Sequence, residues 1–300
     1  MVQIWKCVLA VGLVLSLGSA AAAQDRPRVV AVHQALADFA ERLVGDATEV
    51  VFPVPAGVDA SFWRPSIADI SMIQSADLIL LNGAGFATWI DRVSLPRSRL
   101  VNTSRAFEDR YIVTESITHS HGDGGEHAHE GIASYTWLDP SLAIAQAEAI
   151  AAAIVARELA AAEDVEARLD AFRSELTDLD ATAQDALSGA QDVAMIATHP
   201  RYQYFAQRYS LSITSLEWEA GAMPSDDQIT ALGNLAKERD ARVLIWEARP
   251  PPEAIEAAEA LGLRSVIFEP WANDGTHYTF IEAYETAVSD ISDAVSHSSN

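Results

Sequence analysis

Cysteine is almost absent from this sequence. Cys7 is the single one among 300 residues, and it lies in a leader-like N-terminal segment. The mature chain therefore has no thiol for a disulfide or a thiolate. Any metal site must draw on histidine, carboxylate, other oxygen donors or water. A chain of this length can bury enough apolar surface to fold without cross-links. Basic residues are also scarce, 20 against 43 acidic ones, for a formal net charge of -23. Nucleic acid and anionic membrane surfaces are poor partners for such a chain, whereas a cation is a suitable cargo. Proline and glycine are missing from the whole stretch 141–187, so nothing there breaks a helix. No serine-nucleophile motif, phosphate loop, dinucleotide fingerprint or His-Glu-x-x-His pattern is present, which argues against an enzyme. Beyond the leader, no apolar run approaches the length of a membrane-spanning helix.

The leader itself has a charged start, with Lys6, then an apolar run from Cys7 to Leu17 broken only by Gly12 and Ser16. Ala21, Ala22 and Ala23 follow, before Gln24. That order is the one found in cleavable signal peptides. Residues 1–23 are expected to be removed, leaving a soluble periplasmic protein. Ile4, Trp5 and Lys6 precede the cysteine, and they are not the small residues that a lipid-anchoring signal would place there.

Short β-branched runs recur along the rest of the chain, and each leads into polar residues. Arg28 to Val32 leads into His33. Thr48 to Val54 leads into Pro55-Ala56-Gly57, and Asp77 to Leu81 into Asn82-Gly83. In the second half, Val193 to Ala197 leads into Thr198-His199, and Leu211 to Leu216 into Glu217-Trp218-Glu219. Arg242 to Trp246 leads into Glu247, and Arg264 to Phe268 into Glu269. Amphipathic stretches lie between them, such as Gln34 to Val44, Asp226 to Glu238 and Pro252 to Leu261. Buried strands alternating with helices imply parallel sheets covered on both faces. The breaker-free middle reads as two helices interrupted near Ala162 to Asp164, the second long enough to be a rigid strut. The expected fold is α/β: two parallel-sheet α/β domains joined by a long rigid helix, with a ligand cleft between them. The expected boundaries are 24–160 for the first domain, 161–188 for the linking helix and 189–300 for the second domain.

In open parallel sheets, ligands bind beyond the carboxyl ends of the strands. That rule selects His33, His199, Glu217, Glu219, Glu247 and Glu269. A second concentration of donors lies in 118–130, where His119, His121, His127 and His129 form two His-x-His pairs. Asp123, Glu126 and Glu130 are interleaved with them, as are three glycines. Neutral imidazoles bind Zn2+ well and carboxylates can complete a shell. A flexible loop loses entropy on ordering, so its affinity is expected to be modest. The alternative is a solvated polar loop. His33, Glu247 and Glu269 also have plain readings, as capping or ion-paired residues. Trp63, Trp137, Trp218 and Trp271 can wall a cleft or simply pack.

The segment Thr198-His-Pro-Arg-Tyr-Gln-Tyr-Phe-Ala-Gln-Arg-Tyr209 resembles a region of the zinc- and manganese-specific binding proteins of metal ABC transporters. In that family a ligand histidine there starts a helix bearing a Tyr-Phe pair. The order of other segments is similar too: Val54 to Asp59, Trp63 to Ser66, Ala76 to Gly83, a His-rich loop before Trp137-Leu-Asp-Pro140, and a long linking helix. The resemblance implies two α/β domains on a backbone helix, with the metal held between them and delivered to a membrane permease. It also implies four ligand positions. These fall here on Ser61, Tyr135, His199 and Glu269, of which only His199 is the usual residue. A further acidic position of some members falls on Met223.

Serine and tyrosine are not equivalent to imidazole, and three readings of the cleft stay open. His33 can supply an imidazole together with Glu217, Glu219 or Glu247. The loop histidines can fold over the cleft. Or the cleft can accept a non-metal solute. Zn2+ is the expected cargo and Mn2+ the second choice. The expected partner is an ABC-transporter permease, with the protein acting as a monomer. The competing function is a periplasmic metal buffer or chaperone working through the loop.

Overall fold

The computed structural model describes residues 26–114, 131–273 and 279–296. The His-rich loop at 118–130 lies outside the described residues.

The first half opens with β1 (Arg28–Ala31), α1 (Gln34–Val44), β2 (Glu49–Val51), α2 (Ile67–Ser75), β3 (Leu78–Leu81) and β4 (Leu100–Asn102). A two-stranded ribbon follows, β5 (Val113–Thr114) with β6 (Gly131–Ile132). Two helices come next, α3 (Pro140–Ala156) and α4 (Ala162–Ala186). The second half contains β7 (Ala194–Ala197), α5 (Gln203–Tyr209), β8 (Ser212–Ser215) and α6 (Asp226–Arg239). It continues with β9 (Val243–Trp246), α7 (Pro252–Ala260), β10 (Arg264–Ile267) and α8 (Phe280–Ser296).

Each half builds one four-stranded, fully parallel sheet, ordered β2-β1-β3-β4 and β10-β9-β7-β8. The two orders are the same wiring: the half's first strand lies inside, its second on one flank, its third and fourth on the other. The central strands are apolar throughout, Leu-Ile-Leu-Leu in β3 and Val-Leu-Ile-Trp in β9. Strands covered on both faces require such runs. The chain changes direction between β1 and β3, and again between β7 and β9. Those are the two points where a crevice opens at the strand ends.

The 25-residue α4 is about 37 Å long at 1.5 Å per residue. Its buried positions, Val165, Phe172, Leu176, Leu179 and Ala183, follow a helical stripe. It touches both halves. Arg42 of α1 pairs with Glu175 at 2.7 Å, and Arg208 of α5 pairs with Asp180. The interruption before it is at 157–161, where Glu158 has a φ of 55°. Ala162 to Asp164 are its first turn rather than the break, and Glu163 and Asp164 suit the positive end of the helix dipole there.

The halves are also stitched directly. Trp137 Nε1 donates to the Pro270 carbonyl at 2.7 Å, and the Tyr284 hydroxyl donates to Leu138 O at 2.9 Å. The first amides of α1, at Gln34 and Ala35, donate to the carbonyls of Ala272 and Trp271. A helix start leaves its first amides without intrahelical partners, and here the second half supplies two of them. Trp271 does this in a left-handed conformation, φ 57°, which is rare for a bulky residue.

Candidate metal-binding cleft

Two histidines hold matching places in the two sheets. His33 stands two residues past β1, and His199 stands two residues past β7. The partner of each is the residue immediately after the third strand of its sheet. His33 Nε2 is 3.2 Å from Asn82 Oδ1, and His199 Nδ1 is 3.3 Å from Glu247 Oε2. Their chemistry is nevertheless different.

His33 directly precedes α1 and caps it. Its Nδ1 accepts from the Leu36 amide at 3.3 Å. That leaves Nε2 as the protonated nitrogen, donating to Asn82 Oδ1. Both nitrogens are therefore engaged, and in this arrangement the ring offers no lone pair to a metal. Trp137 stacks on it at 3.9 Å, and the Phe86 ring meets it edge-on at 4.9 Å. Asn82 is held in turn by Thr136 and Gln146.

Burial pushes the His33 pKa down from 6.5 to about 3, and the hydrogen bond to Asn82 offsets this only partly. The unfolded chain binds a proton at His33 below its ordinary pKa, whereas the folded chain resists it. Stability from this group is thus complete above pH 6.5 and is lost as the pH falls from there toward 3. The full span is roughly 4 to 5 kcal/mol at about 1.4 kcal/mol per pKa unit. Asparagine caps a helix without titrating. His33→Asn is expected to flatten the wild-type fall in urea-measured stability between about pH 6 and pH 4. Equal slopes in the two proteins would contradict the assignment.

His199 has no capping duty, because Pro200, Arg201 and Tyr202 separate it from α5. Its Nδ1 is 2.9 Å from the Trp218 carbonyl. A carbonyl only accepts, so Nδ1 carries the proton and the neutral ring keeps its lone pair on Nε2. A backbone carbonyl on the far nitrogen is how metal-binding histidines are commonly oriented. The ring is one-fifth exposed.

Glu247 touches the His199 ring, and Arg201, two residues further on, gathers Glu247, Asp59 and Tyr135, with Ser61 held on Asp59. The Arg201 guanidinium donates from Nη2 to Asp59 Oδ2 at 2.6 Å and from Nε to Glu247 Oε1 at 2.9 Å. It also lies 4.7 Å above the Tyr135 ring, within cation–π range. Arg201 and Glu247 are both buried. Burial opposes the charge on Arg201, but Tyr135, Glu247 and Asp59 outweigh it and raise its pKa above the ordinary value. Ser61 donates its amide and its hydroxyl to Asp59 Oδ1, at 2.8 and 2.5 Å. The Tyr135 hydroxyl is turned toward Ser61 but makes no hydrogen bond of ordinary geometry. Burial holds its pKa well above the usual phenol value. Glu247 Oε2 is likewise buried without a donor. Its 3.3 Å approach to His199 Nδ1 is an electrostatic contact, because the Nδ1 proton is directed to Trp218. Buried polar atoms left unpaired cost stability and call for an explanation.

Among the described residues, Glu269 forms no hydrogen bond or ion pair with Arg201 or Glu247, although its charge acts with theirs on the buried Tyr202. It follows β10 and lines a separate cavity of about 460 Å³ with Arg249, Glu259, Trp271 and Asp290. Burial raises its pKa, and Arg249 counters that only in part. Glu217 and Glu219 are exposed. Among the described residues, no three His, Asp or Glu side chains are gathered as a ready metal cluster. The loop histidines His119, His121, His127 and His129 fall outside the described residues. Arg201 and Asp59 are the contributors that the strand-end rule did not select. The available signal was a basic residue two positions past a strand-end histidine, in a chain poor in basic residues.

The sequence model of one family, ZnuA, described as zinc-uptake complex component A, periplasmic, matches residues 29–294. The high-affinity zinc uptake system protein ZnuA of Bacillus subtilis (strain 168) is 27% identical over 248 residues, 80% of this chain and 76% of that one. The iron ABC transporter substrate-binding lipoprotein MtsA of Streptococcus pyogenes serotype M1 is 25% identical over 265 residues, 84% of this chain and 83% of that one. Among solved structures, the Zn(II)-bound ZnuA-like domain of Streptococcus pneumoniae AdcA has a TM-score of 0.75 at 17% identity. It spans 90% of this chain and 99% of that one. At that identity the likeness concerns the fold, two parallel-sheet α/β units with a helical connection.

Proposed function

We propose that this chain, which belongs to the family of the periplasmic zinc-uptake complex component A, captures a transition-metal ion outside the cytoplasm and delivers it to the permease of an ABC importer. It is a binding protein and not an enzyme. Zinc is the favoured cargo, because imidazole with carboxylates suits it, and manganese is the second. Relatives named for zinc and for iron import are consistent with a transition-metal cargo. In this reading the protein acts as a monomer, residues 1–23 direct its export and are cleaved, and the histidines of 118–130 gather metal near the cleft.

The observation that carries the reading is His199. The ring stands at a sheet's switch point with its proton on Nδ1 and its lone pair on Nε2. It is in contact with the carboxylate of Glu247, whose Oε2 has no donor, and Arg201 joins that carboxylate to Asp59. We assign the cleft ligands as His199, Glu247 and Asp59, with Tyr135 and Ser61 as neighbouring oxygens. His33 is used in capping α1, and Glu269 lines its own cavity. The test is calorimetric titration of zinc into chelator-stripped protein lacking His119 to His129. One site is expected. No binding to the loop-deleted protein would overturn the cleft reading and leave the loop as the metal carrier.

A further inference from the structure

We propose that the Arg201 guanidinium is the resident cation of the empty cleft, and that a metal ion enters by exchanging with it. This rests on the metal-capture reading above. The two carboxylates offer four oxygens. Asp59 Oδ1 accepts from Ser61 twice, and Asp59 Oδ2 accepts from Arg201. Glu247 Oε1 also accepts from Arg201. Only Glu247 Oε2 and His199 Nε2 remain without a donor directed at them. Two donors are too few for zinc, which takes about four. Nor are His199, Glu247 and Asp59 gathered as a cluster while Arg201 stands between the two carboxylates, so the three side chains must also close on the ion. Withdrawing the guanidinium releases Asp59 Oδ2 and Glu247 Oε1 together and brings the count to four.

Charge favours the same exchange. Arginine with two carboxylates leaves the cleft with one net negative charge, whereas a divalent ion with the same two carboxylates makes it neutral. Both cations at once would repel at close range in a poorly solvated site. Arg201 lies in the turn between β7 and α5 and not within either element, so the exchange asks for rotation of its own side chain and for opening of the groups that bury it.

Arg201 also ties the two halves together, because Asp59 follows β2 and Glu247 follows β9. The metal-free protein is thus latched by its own side chain. A metal must outcompete a bidentate internal cation, so Arg201 sets a threshold that weakly coordinating ions do not pass.

The test compares zinc titrations of the loop-deleted protein with its Arg201→Met variant, which keeps a long side chain over Tyr135 but no charge. Arg201→Met is expected to bind zinc at least tenfold more tightly. Equal or weaker zinc binding by the variant, with the parent site still lost in His199→Ala, overturns the exchange while leaving metal capture standing. If neither the parent nor Arg201→Met binds zinc, metal capture by the cleft fails and the exchange fails with it. Should the variant not fold, the side-chain Nε–H resonance of Arg201 in the loop-deleted parent gives a second reading. One equivalent of zinc is expected to abolish its protection from solvent exchange. A resonance unchanged at saturation overturns the proposal.

Discussion

Glu247→Ala is expected to lower folding stability by about 3 kcal/mol, read as a shift in the urea midpoint at an unchanged m-value. Glu247 and Arg201 are both buried, and their 2.9 Å contact is a hydrogen-bonded ion pair. Removing one member leaves the other charged in a poorly solvated place, which typically costs roughly 3 to 5 kcal/mol. Asp59 still compensates Arg201 at 2.6 Å, which places the effect at the lower end. Because total stabilities are only about 5 to 15 kcal/mol, this is a large fraction. The double variant Glu247→Ala, Arg201→Met is expected to regain most of the loss, since it strands no arginine charge. A loss under about 1 kcal/mol, or additive single effects, would contradict the buried pairing.

His199→Ala has the opposite profile. The ring is one-fifth exposed and makes one hydrogen bond, to Trp218. Its removal is expected to cost about 1 kcal/mol of stability. Zinc affinity of the loop-deleted protein should fall at least about 100-fold, or about 2.7 kcal/mol. No other imidazole among the described residues has an open nitrogen to replace it, because His33 is capping α1. An affinity within about threefold of the parent, some 0.6 kcal/mol, would remove His199 from the ligand set.

The architecture was legible because buried parallel strands are written as apolar runs ending in polar residues. Leu78 to Leu81 and Val243 to Trp246 are such runs. The helix break was misplaced by a few residues. The stretch 141–187 has no glycine or proline, and the turn at 157–161 is made with Glu158 in a left-handed conformation, which ordinary residue preferences do not announce.

The two strand-end histidines looked alike in sequence. What separates them is the spacing to the next helix. His33 abuts α1 and must cap it, whereas three residues stand between His199 and α5, leaving that ring a different task. The pairing of Arg201 was hidden for another reason, although its place two residues past His199 was a signal. Its partner Asp59 is 142 residues away in the chain, and only folding brings the two together. The same limit hid the cavity that Glu269 lines with Arg249 and Asp290. A strand-end carboxylate can point into the crevice or along the sheet edge, and β10 is an edge strand.

The most direct measurement is zinc-edge X-ray absorption of the loop-deleted protein loaded with one equivalent of metal. A site built from His199, Glu247 and Asp59 predicts a first shell dominated by oxygen, with the outer-shell scattering of a single imidazole. A first shell with two or more imidazoles, or a protein that retains no zinc, would contradict it.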